Sequence, residues 1–260
     1  MAGLALADGG VTSANVVGYI DYTGAQNALL WTSPTFVPVG TDGTAMKIGD
    51  IKVNAAFSGG GDVIRVFGTD GKQRFELSYL NAEDAEAEGA EEGWYTMQAF
   101  TDWVFDSTNC KNNESLPYGS GFVFVPATAG AAVKYVGEVF QADKAITAAQ
   151  NALLWTGNTS PKNMTLGGLK VNSVFSGGGD VIRVFGTDGK QRFELSYLNA
   201  EDAVAEGADE GWYTMQAFTD WVFDSTNCKN SETLNAGQGF VFVPATAGAA
   251  LVVKNPVPAE

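Results

Sequence analysis

The sequence contains no histidine among its 260 residues. Histidine is the commonest general base, a frequent metal ligand and the usual partner of a serine or cysteine nucleophile. Its absence excludes most hydrolase and transferase designs and leaves mechanisms based on carboxylates or lysine. We therefore predict that the protein is not an enzyme, and a carboxylate-based glycosidase is the least favoured of the alternatives.

Basic residues are scarce, with 15 Lys and Arg against 30 Asp and Glu, so the formal net charge is −15. Such a surface repels phosphate backbones and anionic lipid headgroups, which excludes nucleic acid and anionic membranes as expected partners. No apolar run is long enough to span a bilayer, so we predict no membrane insertion. The charge suits solubility and attraction of cationic partners.

Only two cysteines are present, Cys110 and Cys228, and they occupy equivalent positions in the repeat described below. One cysteine in each repeat unit cannot form a disulfide within that unit. A bond between them requires the two units to meet about a pseudo-two-fold axis. The sequence leaves open free thiols or a disulfide within or between chains, and the absence of histidine disfavours a catalytic thiol.

The chain is an internal duplication. Residues 57–130 align without gaps on residues 175–248, at an offset of 118, with seven differences in 74 positions. Residues 26–32 return as 150–156, and residues 17–20 return loosely as 136–139. We predict a first module at 16–135 and a second at 136–254, flanked by a leader at 1–15 and a tail at 255–260.

The leader contains Ala5-Leu6-Ala7, which has the form of a signal-peptidase site. We interpret residues 1–15 as a signal-peptide remnant, or otherwise as an Ala-rich disordered leader. The first interpretation predicts an extracellular or cell-surface location.

Apolar alternation and turn residues dominate the pattern, which predicts an all-β fold of two tandem β-sandwich or barrel-like modules with little helix. The clearest element is a hairpin over residues 63–79, with Asp70-Gly71 as its two-residue loop. In that register Arg65 faces Glu76 across the strands. Residues 181–197 repeat the pattern.

Residues 81–93 are rich in Ala and Glu and predict either short helical turns or a solvated acidic loop. Residues 94–105 are predicted as one or two strands, whose alternation places Trp103 and Phe105 on the core face and exposes Trp94. Packing in the core or between modules is the simplest role for these rings. The alternative is a ligand-stacking platform, for which the candidate residues are Trp94, Trp212, Phe100 and Phe218.

Two further patterns have an ordinary structural explanation beside a functional one. The loop at 58–62, with its copy at 176–180, is glycine-rich but lacks the lysine and helix of a phosphate-binding loop, so a tight connection is expected. Four carboxylates could hold Ca²⁺, although turn capping explains them well. These metal candidates are Asp102, Asp106, Asp220 and Asp224. We predict no other cofactor.

Three short segments at the module ends form a recognisable pattern: Val16-Val-Gly-Tyr19, the run at 116–124 with its copy at 234–242, and Val136-Gly-Glu-Val139. The pattern resembles β-rich repeats of uncharacterised secreted bacterial proteins. The resemblance implies secretion and repetition, and it carries no catalytic residue.

The favoured functional hypothesis is a secreted structural protein that assembles end to end with itself into a filament, layer or matrix. Near-identical repeats and a stiff junction between them favour it, because head-to-tail contacts that do not close build open polymers. The strands expected to join chains contain Val16, Val17, Tyr19, Ile20, Leu251, Val252 and Val253. The first alternative is a pair of carbohydrate-binding modules that use exposed aromatic rings to hold a polysaccharide.

Overall fold

The computed structural model describes residues 17–37, 45–68, 70–117, 119–139 and 143–254. The chain is mostly β, with 39% strand and 14% helix, and its several small antiparallel sheets form a propeller-like ring. The all-β prediction is confirmed at this level. The leader, the tail and Val16 lie outside the described residues.

The elements of the first half, within the described residues, are strands β1 to β11 and helices α1 and α2. Their bounds are β1 Val17–Thr23, β2 Leu30–Thr32, β3 Phe36–Val37, β4 Ala45–Lys47, β5 Lys52–Val53, β6 Val63–Phe67, β7 Gln73–Leu80, α1 Ala82–Glu88, β8 Gly93–Thr96, α2 Met97–Asp102, β9 Ser115–Pro117, β10 Phe122–Val125 and β11 Ala132–Val139. A 3₁₀ turn covers Ile48–Asp50.

The second half repeats this order, except that its described residues contain no counterpart of β3. Its elements are β12 Lys144–Thr147, β13 Leu154–Gly157, β14 Met164–Thr165, β15 Lys170–Val171, β16 Val181–Phe185, β17 Gln191–Leu198, α3 Ala200–Glu206, β18 Gly211–Thr214, α4 Met215–Asp220, β19 Thr233–Leu234, β20 Gly239–Val243 and β21 Ala250–Val253. A 3₁₀ turn covers Leu166–Gly168.

Two five-stranded sheets have matching orders, β2-β10-β6-β7-β8 and β13-β20-β16-β17-β18. Their hairpins confirm the predicted register, since Arg65 faces Glu76 and the two side chains form an ion pair at 3.1 Å. The predicted two-residue loop is wrong in detail. A bulge after Val66 widens the loop, which closes through a 2.8 Å bond from the Gly68 amide to the Lys72 carbonyl.

The acidic segment at 81–93 begins with a helix rather than forming only a loop. Asn81 caps α1 by accepting a hydrogen bond from the Asp84 amide, and Gly89 ends the helix in the left-handed conformation at φ 65°. Both are standard helix-boundary residues. The helix lies over β7 and β8, where Ala85 packs beside Tyr95 in a small apolar cluster.

The strands expected to join neighbouring chains are paired within the chain. Val17, Tyr19 and Ile20 lie in β1, which pairs along its length with β11. Residues 136–139, aligned above with residues 17–20, lie in β11, where 136–138 pair antiparallel with β1 and Val139 pairs with Phe36 of β3. Strand β21, which contains residues 251–253, lies between β12 and β15.

The two halves of the chain contact each other closely. Trp31 stacks on Trp155 with ring centroids 4.0 Å apart and an interplanar angle of 5°. Phe185 packs on Trp31 at 5.1 Å, and Phe67 packs on Trp155 at 4.9 Å. Trp31 and Trp155 are copies of each other, as are Phe67 and Phe185, so the contact is self-complementary, as across a two-fold axis.

No helix within the described ranges has both the length and the apolar character needed to cross a bilayer.

Candidate functional site

Trp94, which the sequence suggested as an exposed ring, is fully buried at 0% exposure, as is its copy Trp212. The Trp94 indole donates a 2.7 Å hydrogen bond to the Ile51 carbonyl and packs edge-on against Phe57 and Tyr79. The prediction that its ring is exposed is wrong because Trp94 faces the main core, while the opposite face of β8, with Tyr95, lies under α1 and α2. Both faces of that strand are therefore buried, and alternation does not identify an exposed side.

The second pair of stacking candidates, Phe100 and Phe218, is half-buried. Phe100 lies in α2 and packs under the glycine-rich loop, where a Cβ added to Gly59 would lie 3.3 Å from the ring. The small size of the loop residues therefore serves this close packing. Phe218 repeats the arrangement beside Gly177 at 3.2 Å.

The glycine-rich loop is closed by its own carboxylate rather than open to a phosphate. Asp62 is fully buried, and its two oxygens accept hydrogen bonds from the Ser58 and Thr128 amides at 2.6 and 2.7 Å. The Ser78 hydroxyl donates to the Asp62 carbonyl and accepts from the Gly60 amide. These bonds occupy groups that would otherwise bind an anion, in agreement with the expected tight connection.

The proposed metal ligands do not converge. Asp106 accepts bonds from the Thr108 and Asn109 amides at 3.0 Å, which is the turn-capping role, while Asp102 accepts a bond from Gln98. Asp220 and Asp224 have the equivalent partners in the second copy. Among the described residues, no group of three or more acidic or cysteine side chains is placed to hold a metal ion.

Cys110 and Cys228 are both free thiols and half-buried. Cys110 lies against β8, where it forms an isolated bridge with Tyr95. Burial raises the pKa of the Tyr95 hydroxyl to about 12, and the neighbouring thiol adds to the shift. Within the chain the two thiols are therefore not bonded to each other, and a disulfide between chains stays a prediction.

The exposed tryptophans are Trp103 and Trp221, at 66% and 67% exposure. Alternation assigned Trp103 to the core, but the chain leaves the strand at Thr96 and forms α2, which ends at Trp103. Trp103 takes the left-handed conformation at φ 51°, and Trp221 does so at φ 53°. Glycine is the usual residue at this position, and a bulky side chain there costs about 1 kcal/mol.

The exposed ring is supported on one side by other aromatic residues. Trp103 meets Phe105 edge-on with centroids 5.8 Å apart, and Phe105 in turn meets Tyr95 at 5.3 Å. Both residues belong to the cluster under α1 and α2, which fixes the indole relative to β8. We call Trp103, Phe105 and Tyr95 tryptophan site 1.

A cleft of about 630 Å³ lies beside these rings. Phe105 and Tyr95 form part of its wall, and Glu91, Asp106 and Asn113 supply polar groups. Trp103 does not line this cleft but adjoins it through its contact with Phe105, so an open aromatic face lies next to a depression that contains hydrogen-bonding side chains. This arrangement can stack on a flat, weakly polar ligand and orient it through hydrogen bonds.

The second copy contains the same aromatic arrangement, which we call tryptophan site 2. Trp221 meets Phe223 at 6.0 Å, and Phe223 meets Tyr213 at 5.3 Å. At the positions equivalent to the lining of the first-copy cleft, the second copy has Asp209 for Glu91 and Ser231 for Asn113, and both are polar.

Comparisons with models of protein families, with curated proteins and with solved structures find no match to this chain. Its function is therefore inferred from the geometry of the two tryptophan sites.

Proposed function

We propose that the protein is a secreted, non-catalytic carbohydrate-binding protein with two equivalent sites, centred on Trp103 and Trp221. The observation that carries the proposal is the high exposure of these two side chains together with their left-handed backbone conformation. Each is about two-thirds exposed, and each occupies a strained left-handed position that glycine would fill more easily. Neither feature stabilises the fold, and strained residues with large exposed side chains are typical of binding sites.

The expected ligand is a neutral polysaccharide. The apolar face of a pyranose ring stacks on an open indole, and its hydroxyls suit polar groups such as Glu91, Asp106 and Asn113. A net charge of −15 opposes polyanions, including acidic polysaccharides. Proteins with a large positive surface would be attracted by charge, but they would not need a single projecting ring.

Two sites on one chain make the protein bivalent. We propose that the matching sheets form two tandem modules, with the repeated strand register and the Trp31–Trp155 stack as support. A close contact between the halves fixes the distance between the sites. Binding of one polymer at both sites then raises the apparent affinity well above that of either site alone.

Assembly into a filament stays a prediction. Its expected contacts use β1 and β21, and both strands already have partners within the chain. β1 is an edge strand, so strand addition there is still available. A structural role and polysaccharide binding are compatible, since a bivalent protein cross-links a matrix without forming a polymer itself.

The test is depletion of the full chain from solution by insoluble neutral polysaccharides: cellulose, chitin, xylan and starch. We expect one of them to retain the protein. Trp103→Ala and Trp221→Ala should each weaken retention by about tenfold, which is about 1.4 kcal/mol, and the double variant should not be retained. Val204→Ala is the matched control, since Val204 is an exposed apolar residue outside both sites.

Two outcomes would contradict the proposal. One is that the wild-type chain is retained by none of the four polysaccharides. The other is that the double variant is retained as strongly as Val204→Ala, which would place any binding elsewhere on the surface.

A further inference from the structure

The two copies differ at seven of 74 aligned positions, and the differences are not spread evenly. Five of them fall within residues 231–238. Four of these five line one cleft of about 390 Å³ in the second copy, which we call the copy-2 cleft. These four residues are Ser231, Thr233, Asn235 and Gln238, where the first copy has Asn113, Ser115, Pro117 and Ser120.

The rest of the lining is identical in sequence to the first copy but differs in its contacts. In the first copy Arg74 forms an ion pair with Glu114 at 3.3 Å and also lies over the Phe75 ring. The equivalent residues, Arg192 and Glu232, form no ion pair with each other or with any other described residue. Both line the copy-2 cleft, so it contains one cation and one anion that are not neutralised by each other.

The position of Arg192 agrees with this difference. A Cβ added to Gly186 would lie 2.7 Å from the Arg192 Nε atom, so the guanidinium end of the side chain folds over the hairpin loop. In the first copy a Cβ added to Gly68 would lie 2.7 Å from Asp70 Oδ1, as one added to Gly186 would from Asp188 Oδ1, but the nearest atoms of Arg74 would be its Cδ and Cγ methylenes, at 3.4 and 3.6 Å. The two arginines therefore direct their charged groups differently.

Gln238 fixes one wall of the cleft. It is 8% exposed, its amide donates to the Phe185 carbonyl at 2.8 Å, and its oxygen accepts from the Asn235 amide at 3.0 Å. These bonds connect the loop before β20 to the end of β16. Serine at the equivalent position of the first copy is too short to make both of them, so the wall is specific to the second copy.

We propose that the copy-2 cleft binds a small zwitterion that carries a carboxylate and an ammonium group, of the chemical class of a free amino acid. The Arg192 guanidinium presents paired donors to the carboxylate, and the Glu232 carboxylate accepts from the ammonium. Hydroxyl and amide groups of Thr233 and Asn235 are available to the remaining polar atoms. A ligand of zero net charge is not repelled by a protein of charge −15.

Isothermal titration calorimetry on the full chain tests this proposal, with glycine, L-alanine and L-glutamine as probes. At least one of them should bind saturably with one site per chain. Arg192→Gln and Glu232→Gln should each weaken binding by at least about tenfold. Arg74→Gln and Glu114→Gln are the matched controls from the first copy and should leave binding unchanged.

Acetate and methylammonium, titrated separately, distinguish a zwitterion site from a simple ion site. Both should bind at least about tenfold more weakly than the best amino acid. Gln238→Ser, which restores the residue of the first copy, should weaken binding while the thermal midpoint of the protein reports an intact fold.

Three results would overturn the proposal. These are no saturable binding of any of the three amino acids, equal binding of acetate and the best amino acid, or equal loss in Arg74→Gln and Arg192→Gln. The test distinguishes this proposal from polysaccharide binding, because Arg192 and Glu232 belong to neither tryptophan site and neither Trp103 nor Trp221 lines the copy-2 cleft, although Ser231 is the equivalent of Asn113 beside tryptophan site 1.

Discussion

Replacement of Asp62 by alanine should destabilise the protein strongly, although the residue belongs to a loop. Its carboxylate is fully buried and accepts hydrogen bonds from the Ser58 and Thr128 amides at 2.6 and 2.7 Å. Asp62→Ala leaves both amides without an acceptor. A hydrogen bond to a charged group contributes about 1.5–3 kcal/mol, so the two together give an expected loss of about 4 kcal/mol.

The assay is urea unfolding followed by tryptophan fluorescence. Asp62→Ala should lower the midpoint with little change in the dependence of unfolding free energy on urea, because the folded state buries the same surface. Asp180→Ala should cost a similar amount, since its carboxylate has the same two bonds, to the Ser176 and Thr246 amides.

The matched control is Asp70→Ala, at an exposed turn where the carboxylate accepts one 3.1 Å bond from the Lys72 amide. It should cost about 1 kcal/mol or less. A loss below about 1 kcal/mol for both Asp62→Ala and Asp180→Ala would refute the view that these carboxylates hold the glycine-rich loops closed.

Two further predictions concern the aromatic residues. Trp94→Ala should lower the free energy of unfolding by about 3–5 kcal/mol, and Trp103→Ala by about 1 kcal/mol or less, because only the Trp94 ring is buried. If urea unfolding gives the same loss for both variants, the assignment of buried and exposed rings is refuted. Burial raises the pKa of Tyr22, Tyr95 and Tyr213 to about 12, from an ordinary value of 10.0. Above pH 10 the unfolded chain loses these protons while the folded protein retains them, so stability should fall as the pH rises from 10 to 12. Ultraviolet titration of phenolate should show these tyrosines ionising well above pH 10, or together with unfolding. Their ionisation near pH 10 in the folded protein would contradict this prediction.

Local signals were sufficient to predict the hairpins. The Asp-Gly turn and the alternation around it fixed the pairing of Arg65 with Glu76, because only one register puts apolar residues on one face and opposite charges on the other. The duplication then predicted the second hairpin, in which Arg183 faces Glu194.

Residues 94–105 could not be predicted in this way. Their aromatic residues alternate like a strand, but α2 is only six residues long and gives no helical periodicity. Its stability comes from packing of Ala99 in a cluster with Tyr95 and with Leu80 and Ala85, and the last two are distant in the sequence. Which tryptophan is exposed depends on that packing, so the tryptophan sites were not predicted from the sequence.

The copy-2 cleft was missed for a different reason. The seven differences between the copies were visible, but their clustering in space depends on the approach of residues 231–238 to the hairpin loop after β16. Without knowledge that these two segments lie close together, the four differences that line the cleft do not indicate a binding site.

The central claim is that one chain has two carbohydrate sites, each built on one exposed tryptophan. The most direct measurement is the binding stoichiometry of a soluble oligosaccharide derived from the retained polysaccharide, by isothermal titration calorimetry. We predict two sites on the wild-type chain, one on Trp103→Ala, one on Trp221→Ala and none on the double variant. Two sites remaining on either single variant, or any site on the double variant, would contradict the claim.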